Sequence, residues 1–230
     1  LLMTSQSKSV PSMIACLECG AGSPLDAHFC QQCKHILPLP RGSDYFSFFG
    51  FKPKLVIDSD SLQDRFRTLS RQLHPDYFYN AQAAERRASL ERSSYLNDAY
   101  RTLNDLVSRV EYLLRLEGLV SIKSDGESSQ VPPALLEEVF ALNEELQEIR
   151  EFREAGGDSS EVQVRLEAAR DQIKSKQDSH EKQLFDLSLE WDERQERGIL
   201  ETLRECLLER NYLRNLLTII DKELEVLGQK

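Results

Sequence analysis

Four of the chain's five cysteines fall within eighteen residues, as Cys16-Leu17-Glu18-Cys19 and Cys30-Gln31-Gln32-Cys33. Each CxxC pair can turn two thiolates toward one ion, and the ten residues between the pairs are enough to close both around a tetrahedral centre. Soft thiolates favour a single zinc ion; a redox or iron-binding role is the alternative chemistry. Four sulfur ligands leave no coordination position for a substrate, so a zinc ion here is structural and the module is expected to fold only when metallated. His28 and His35 are neighbours that the site does not need as ligands. Such crowding points to a reducing compartment and a metal rather than to a disulfide framework. Cys206, alone in a helical pattern, reads as a small core residue.

The second group with chemical content is His74-Pro75-Asp76. Pro75 removes an amide donor and ends the helix that precedes it. A rigid turn at this place would present the Asp76 carboxylate for pairing with a partner's arginine, beside the planar hydrogen-bonding ring of His74. Arg65, Arg67 and Arg71 lie on the preceding helix and would steer an acidic partner toward the turn. The plainer reading has Pro75 as a helix breaker, its neighbours as caps and the arginines as solvated side chains. No nucleophile and base stand together here, and no glycine-rich phosphate loop occurs, so neither an enzyme nor a nucleotide site is expected.

The elements that must carry these groups read as helices. Asp44 caps a short turn over Tyr45 to Phe49, closed by Gly50. After the Asp58-Ser59-Asp60 cluster, Leu62, Phe66, Leu69 and Leu73 recur at helical spacing up to the proline. A second run from about Ala81 to Leu103 carries Ala84, Ala88, Leu96, Ala99, Tyr100 and Leu103 inward, so the two form an antiparallel hairpin with the His-Pro-Asp turn at its tip. A shorter helix follows over about Val107 to Glu117, ending at Gly118. Three helical patterns close the chain, over about 133-154, 160-190 and 192-227, with apolar stripes long enough for a bundle. The polar stretch Ser175 to Ser179 suggests a bend in the middle one, or an end that extends beyond the core.

Domain boundaries are expected as follows: a weakly patterned N-terminus (1-15), the four-cysteine module (16-37), the hairpin with its short helices (44-118), a Gly- and Ser-rich linker (119-131), and the bundle (132-230). The fold class is all-α with a small zinc knuckle. The net charge is -10, and all of the excess is C-terminal: residues 1-131 carry 15 acidic and 15 basic side chains, residues 132-230 carry 24 and 14. That balance argues against nucleic acid as a main ligand, because phosphate binding needs a basic surface. No apolar run approaches the length of a membrane span. The first residues show neither a secretory signal nor an Arg-rich presequence.

With these residues in view, the chain resembles the J-domain family. The resemblance rests on Asp44-Tyr45-Phe46-Ser47-Phe48-Phe49-Gly50, on Phe66-Arg67-Thr68-Leu69-Ser70-Arg71-Gln72-Leu73-His74-Pro75-Asp76, and on Asn97-Asp98-Ala99-Tyr100-Arg101-Thr102-Leu103. Ser108-Arg109-Val110-Glu111-Tyr112-Leu113-Leu114, followed by Gly118, narrows it to the HscB-type co-chaperones of iron-sulfur cluster assembly, over about residues 44-227. The cysteine module resembles the form found in eukaryotic mitochondrial members.

The resemblance implies that His74, Pro75 and Asp76 stimulate the ATPase of a DnaK-like chaperone, with Arg65, Arg67 and Arg71 helping it dock. It further implies that an iron-sulfur scaffold protein binds the bundle through Leu136, Glu137, Phe140, Glu144 and Tyr212, and that the compartment is the mitochondrial matrix, with the cytoplasm as a second location. Two departures stand out: the central helix carries arginines but no lysine, and Glu137 and Ala141 replace a hydrophobic and an acidic residue of the family pattern. A J-protein that presents unfolded clients through its bundle is the rival reading.

Overall fold

The computed structural model describes residues 13–119 and 136–228, in two compact units that divide between Asp105 and Leu106. The expected linker at 119-131 therefore lies almost wholly outside the described residues, as does most of the expected N-terminal segment.

The first unit begins with a feature that the helical reading does not anticipate, a small antiparallel hairpin of β1 (Met13–Ala15) and β2 (Gly22–Pro24). It folds the first cysteine pair into a turn, and a bridge between Phe29 and Ile36 does the same for the second. Lys34 takes a left-handed φ of 65° in that second turn, a conformation rare outside glycine.

Helix α1 (Tyr45–Phe48) starts at Asp44, whose carboxylate accepts from the Ser47 amide at 2.9 Å, as an N-cap should. Gly50 closes it at φ 69°, as the sequence suggests. Helix α2 (Ser59–Leu73) is capped by Asp58, which accepts from the Ser61 amide. It ends before Pro75, and a single 3-10 turn (Pro75–Phe78) separates it from α3 (Ala83–Asn104).

The two long helices bury Leu62, Leu69, Leu73, Leu96, Ala99 and Leu103 together with Phe46, Phe48 and Phe49 of the α1 segment. Phe66 and Tyr100 stack across the pair at 4.2 Å. The apolar spacing of the sequence thus faces inward on both helices, except that Ala84, expected on the inward face, is exposed in the first turn of α3, before that helix meets α2.

The second unit contains α4 (Leu106–Leu116), α5 (Leu136–Glu154), α6 (Ser159–Arg194) and α7 (Arg197–Gly228). Helix α4, grouped by sequence with the hairpin, lies in this unit and packs on α7. Leu146 and Ile149 of α5, Val162, Leu166, Ala169 and Ile173 of α6, and Leu213, Leu216 and Ile220 of α7 form one core cluster. Gly156, at φ 84°, makes the α5 to α6 turn, and Asp158 caps α6.

The bend expected at Ser175 to Ser179 does not occur; α6 runs unbroken through it. Those polar residues are exposed or half-buried on a continuous helix, and Gln177 donates to Glu181 one turn on. Cys206 is buried, as expected of a core residue. Among the described residues no helix is long and apolar enough to cross a membrane.

Candidate functional site

The sulfur atoms of Cys16, Cys19, Cys30 and Cys33 all lie within 4.8 Å of one another. Cys16 and Cys33 are separated by 3.5 Å and Cys19 and Cys30 by 3.6 Å. A disulfide would need about 2.05 Å, whereas tetrahedral zinc with bonds of about 2.3 Å holds its sulfurs roughly 3.8 Å apart, so the spacing fits a shared ion.

The electrostatics agree. The Cys33 amide pulls the Cys30 thiol down to about 6. The His35 amide acts on Cys33 in the same direction, yet burial and the surrounding sulfurs push that thiol up to about 12. Four crowded sulfurs cannot all ionise unless a cation stands among them. The cluster can therefore coordinate a single structural zinc ion, with no position left open for catalysis.

His28 and His35 are not in the sulfur cluster. His35 contacts the Cys33 carbonyl at 3.1 Å. His28 instead joins two other segments, with its Nδ1 2.8 Å from Arg92 Nη1 and its Nε2 3.1 Å from the Phe48 carbonyl. An arginine can only donate, so Nδ1 accepts and Nε2 carries the proton given to Phe48. Burial, and then the Arg92 charge, hold His28 well below the ordinary imidazole range, at about 4.

At the other end of the hairpin, His74 caps the 3-10 turn. The Asp76 amide donates to His74 Nδ1 at 3.3 Å, and the Asp76 carboxylate lies 3.5 Å from the same nitrogen. With Nδ1 accepting, the neutral ring carries its proton on Nε2 and offers it as a donor. The Asp76 side chain is 88% exposed and that of His74 51%. Tyr77 and Tyr79 beside them are exposed as well.

The root of this turn is held from α3. Ser89 and Ser93 both donate to the Leu73 carbonyl, at 2.7 and 2.8 Å, and Ser89 is fully buried. Leu73 ends α2, where a carbonyl has no partner within its own helix. Neither serine has a sequence signature, since isolated serines in a helix are usually solvated.

The three arginines of α2 differ in their surroundings. Arg65 donates to the Phe49 carbonyl and its guanidinium lies 4.3 Å over the Phe51 ring, so it ties α2 to the end of α1. Arg67 is exposed beside Asp64 at 3.8 Å, and Arg71 is exposed in the last turn of α2. Leu136, Phe140 and Glu144 share one face of α5 at four-residue spacing, and all three are exposed. Glu137 belongs to the same helix, with its side chain outside the described ones. Tyr212 is half-buried against the bundle core.

A two-helix hairpin with an exposed His-Pro-Asp turn, accompanied by a separate helical bundle, is the arrangement that the resemblance to J-domain proteins implies. No protein-family model matches the chain. Individual relatives do. Over 151 residues it is 32% identical to the Arabidopsis thaliana iron-sulfur cluster co-chaperone protein HscB homolog, covering 66% of this chain and 58% of that protein. Over 148 residues it is 32% identical to the mouse iron-sulfur cluster co-chaperone protein HscB, covering 64% and 60%.

The crystal structure of human co-chaperone protein HscB superposes with a TM-score of 0.64 at 27% identity, covering 91% of this chain and 98% of that one. The chain is thus similar to HscB-type co-chaperones of both bacteria and eukaryotes. Its matches span about three fifths of the length of the curated relatives.

Proposed function

We propose that this chain is a non-enzymatic co-chaperone that binds an iron-sulfur scaffold protein through its helical bundle. It presents that scaffold to a DnaK-like chaperone and stimulates the chaperone's ATPase through His74, Pro75 and Asp76. The observation that carries this reading is the hairpin tip: a turn stiffened by Pro75, with an 88% exposed Asp76 carboxylate beside a His74 ring whose tautomer is set by the Asp76 amide. An exposed carboxylate on a rigid turn gains most when a partner's arginine meets it in a water-poor interface. Nucleotide and its chemistry belong to the partner.

Arg67 and Arg71 are the docking cations on α2, and Arg65 supports the surface by holding α1 and α2 together. On the bundle, Leu136 and Phe140 act as apolar anchors, with Glu137, Glu144 and Tyr212 fixing orientation. Carrying both surfaces on one chain raises the effective concentration of scaffold near the ATPase. The mitochondrial matrix is the compartment, a reading supported by the resemblance of the cysteine module to the eukaryotic mitochondrial form. In a reconstituted assay with a DnaK-like ATPase and an iron-sulfur scaffold, His74→Gln removes stimulation while scaffold binding persists. Undiminished stimulation by that variant would refute the assignment.

A further inference from the structure

Arg92 is the largest of the fully buried side chains and belongs neither to the sulfur cluster nor to the His-Pro-Asp turn, with only 1% of its surface exposed. Four hydrogen bonds run from it, away from α3, to the cysteine module. Nε donates to the Leu37 carbonyl at 2.6 Å, Nη1 to His28 Nδ1 at 2.8 Å, and Nη2 to the carbonyls of Ala27 at 3.1 Å and Pro38 at 3.0 Å. These acceptors flank the second cysteine pair, two on each side. Their positions depend on that loop being closed: the Leu37 amide donates to the His28 carbonyl and the Cys30 amide to the His35 carbonyl.

The same stretch of α3 has a second duty. Ser89 and Ser93, three residues before Arg92 and one after it, hold the Leu73 carbonyl at the root of the His-Pro-Asp turn. A buried guanidinium is tolerable only while its donors are satisfied, because an unpaired buried charge is strongly destabilising. If the module opens, four acceptors leave together, and the cation can regain partners only by drawing the middle of α3 toward water.

We propose that Arg92 is a positioning residue through which the metal-closed cysteine module fixes the stretch of α3 that anchors the His-Pro-Asp turn, so that metal loading governs the order of that turn. The inference rests on the reading of the four cysteines as a metal site. It does not require the ATPase assignment, since its readout is backbone order.

The test compares the full chain loaded with one equivalent of zinc and the reduced chain stripped by a chelator. Zinc is measured by elemental analysis, and hydrogen exchange is followed on peptides spanning residues 73–79 and 86–96. In the unsubstituted protein, stripping the metal accelerates exchange in both peptides by about tenfold or more, the effect of losing hydrogen bonds from a charged donor. Arg92→Met retains zinc but exchanges fast with or without it, and Arg92→Lys, which keeps the cation and loses the fork, recovers part of the metal dependence.

Bound zinc with unchanged exchange in the unsubstituted protein overturns the clamp alone, as does metal-dependent protection that survives in Arg92→Met. A chain that takes up no zinc overturns the metal reading and the clamp with it. The unsubstituted comparison needs no variant and decides the matter even where Arg92→Met fails to fold.

Discussion

The carbonyl of Leu73 accepts from two α3 serines at once, and that arrangement predicts a non-additive pair. Replacing Ser89 with alanine removes one neutral hydrogen bond, a loss of about 1 kcal/mol, against a gain of about 0.5 kcal/mol in helix propensity. The carbonyl still has Ser93, so the net loss is about 0.5 kcal/mol. Ser93→Ala gives the same arithmetic with Ser89 remaining. The double variant differs in kind, because it leaves a carbonyl of a fully buried residue without either hydroxyl. Stranding a buried acceptor costs about 1 to 3 kcal/mol where the same hydroxyl removed alone costs about 1, so the coupling between the two sites should reach about 2 kcal/mol beyond the sum of the singles.

Urea unfolding is the assay, and the probe must be chosen by position. Trp191 lies in the bundle, whereas Tyr45, Tyr77, Tyr79, Tyr95 and Tyr100 lie in the hairpin unit. Only Tyr112 and Tyr212 of the seven tyrosines lie in the second unit, so the tyrosine near-ultraviolet signal reports mainly the hairpin, and tryptophan emission serves as the internal reference. A double variant whose loss equals the sum of the singles would show that Leu73 has another acceptor arrangement and that the serines do not act as a unit.

Two further outcomes follow from side-chain placement. Leu136→Ala combined with Phe140→Ala removes the two apolar anchors exposed on α5; scaffold affinity should fall at least tenfold, about the loss of one hot-spot contact, with the Trp191 unfolding transition unchanged. Equal affinity measured by titration calorimetry would place the scaffold elsewhere. Burial, and then the Glu209 charge, push the Cys206 thiol from 9.0 up to about 11. Its proton is held more tightly folded than unfolded, so its stabilising share is complete below pH 9 and is lost as pH rises toward 11. At pH 7.5 the native protein should leave Cys206 unalkylated by iodoacetamide, and mass spectrometry showing rapid native labelling would contradict both its burial and its raised pKa.

What can be read from residues alone follows the range of the forces involved. The caps at Asp44 and Asp58, the stop before Pro75 and the apolar stripes are local or periodic, and each stands where the residues predict it. The cysteine cluster is equally legible, because two CxxC pairs specify a geometry through their own spacing. The failures are of two kinds. The polar run at 175–179 suggests a bend, but a helix continues through polar residues whenever its flanking stripes are buried, as Ile173 and Leu184 are. The short β-hairpin escapes a sequence reading because three-residue strands carry no period to detect.

The supports of the site are hidden for another reason: each depends on a partner far away in sequence. Arg92 bonds to residues more than fifty positions earlier, and Ser89 to one sixteen positions earlier. One trace of Arg92 is nonetheless present. Ala88, Arg92, Leu96 and Ala99 fall on one helical face, so an arginine occupies a place between apolar members of an inward stripe. A cation at such a place must either distort the helix or meet a set of acceptors brought by another segment. The cysteine module is the segment that brings them, and a knuckle with no catalytic opening thereby acquires a mechanical reason to be joined to this hairpin.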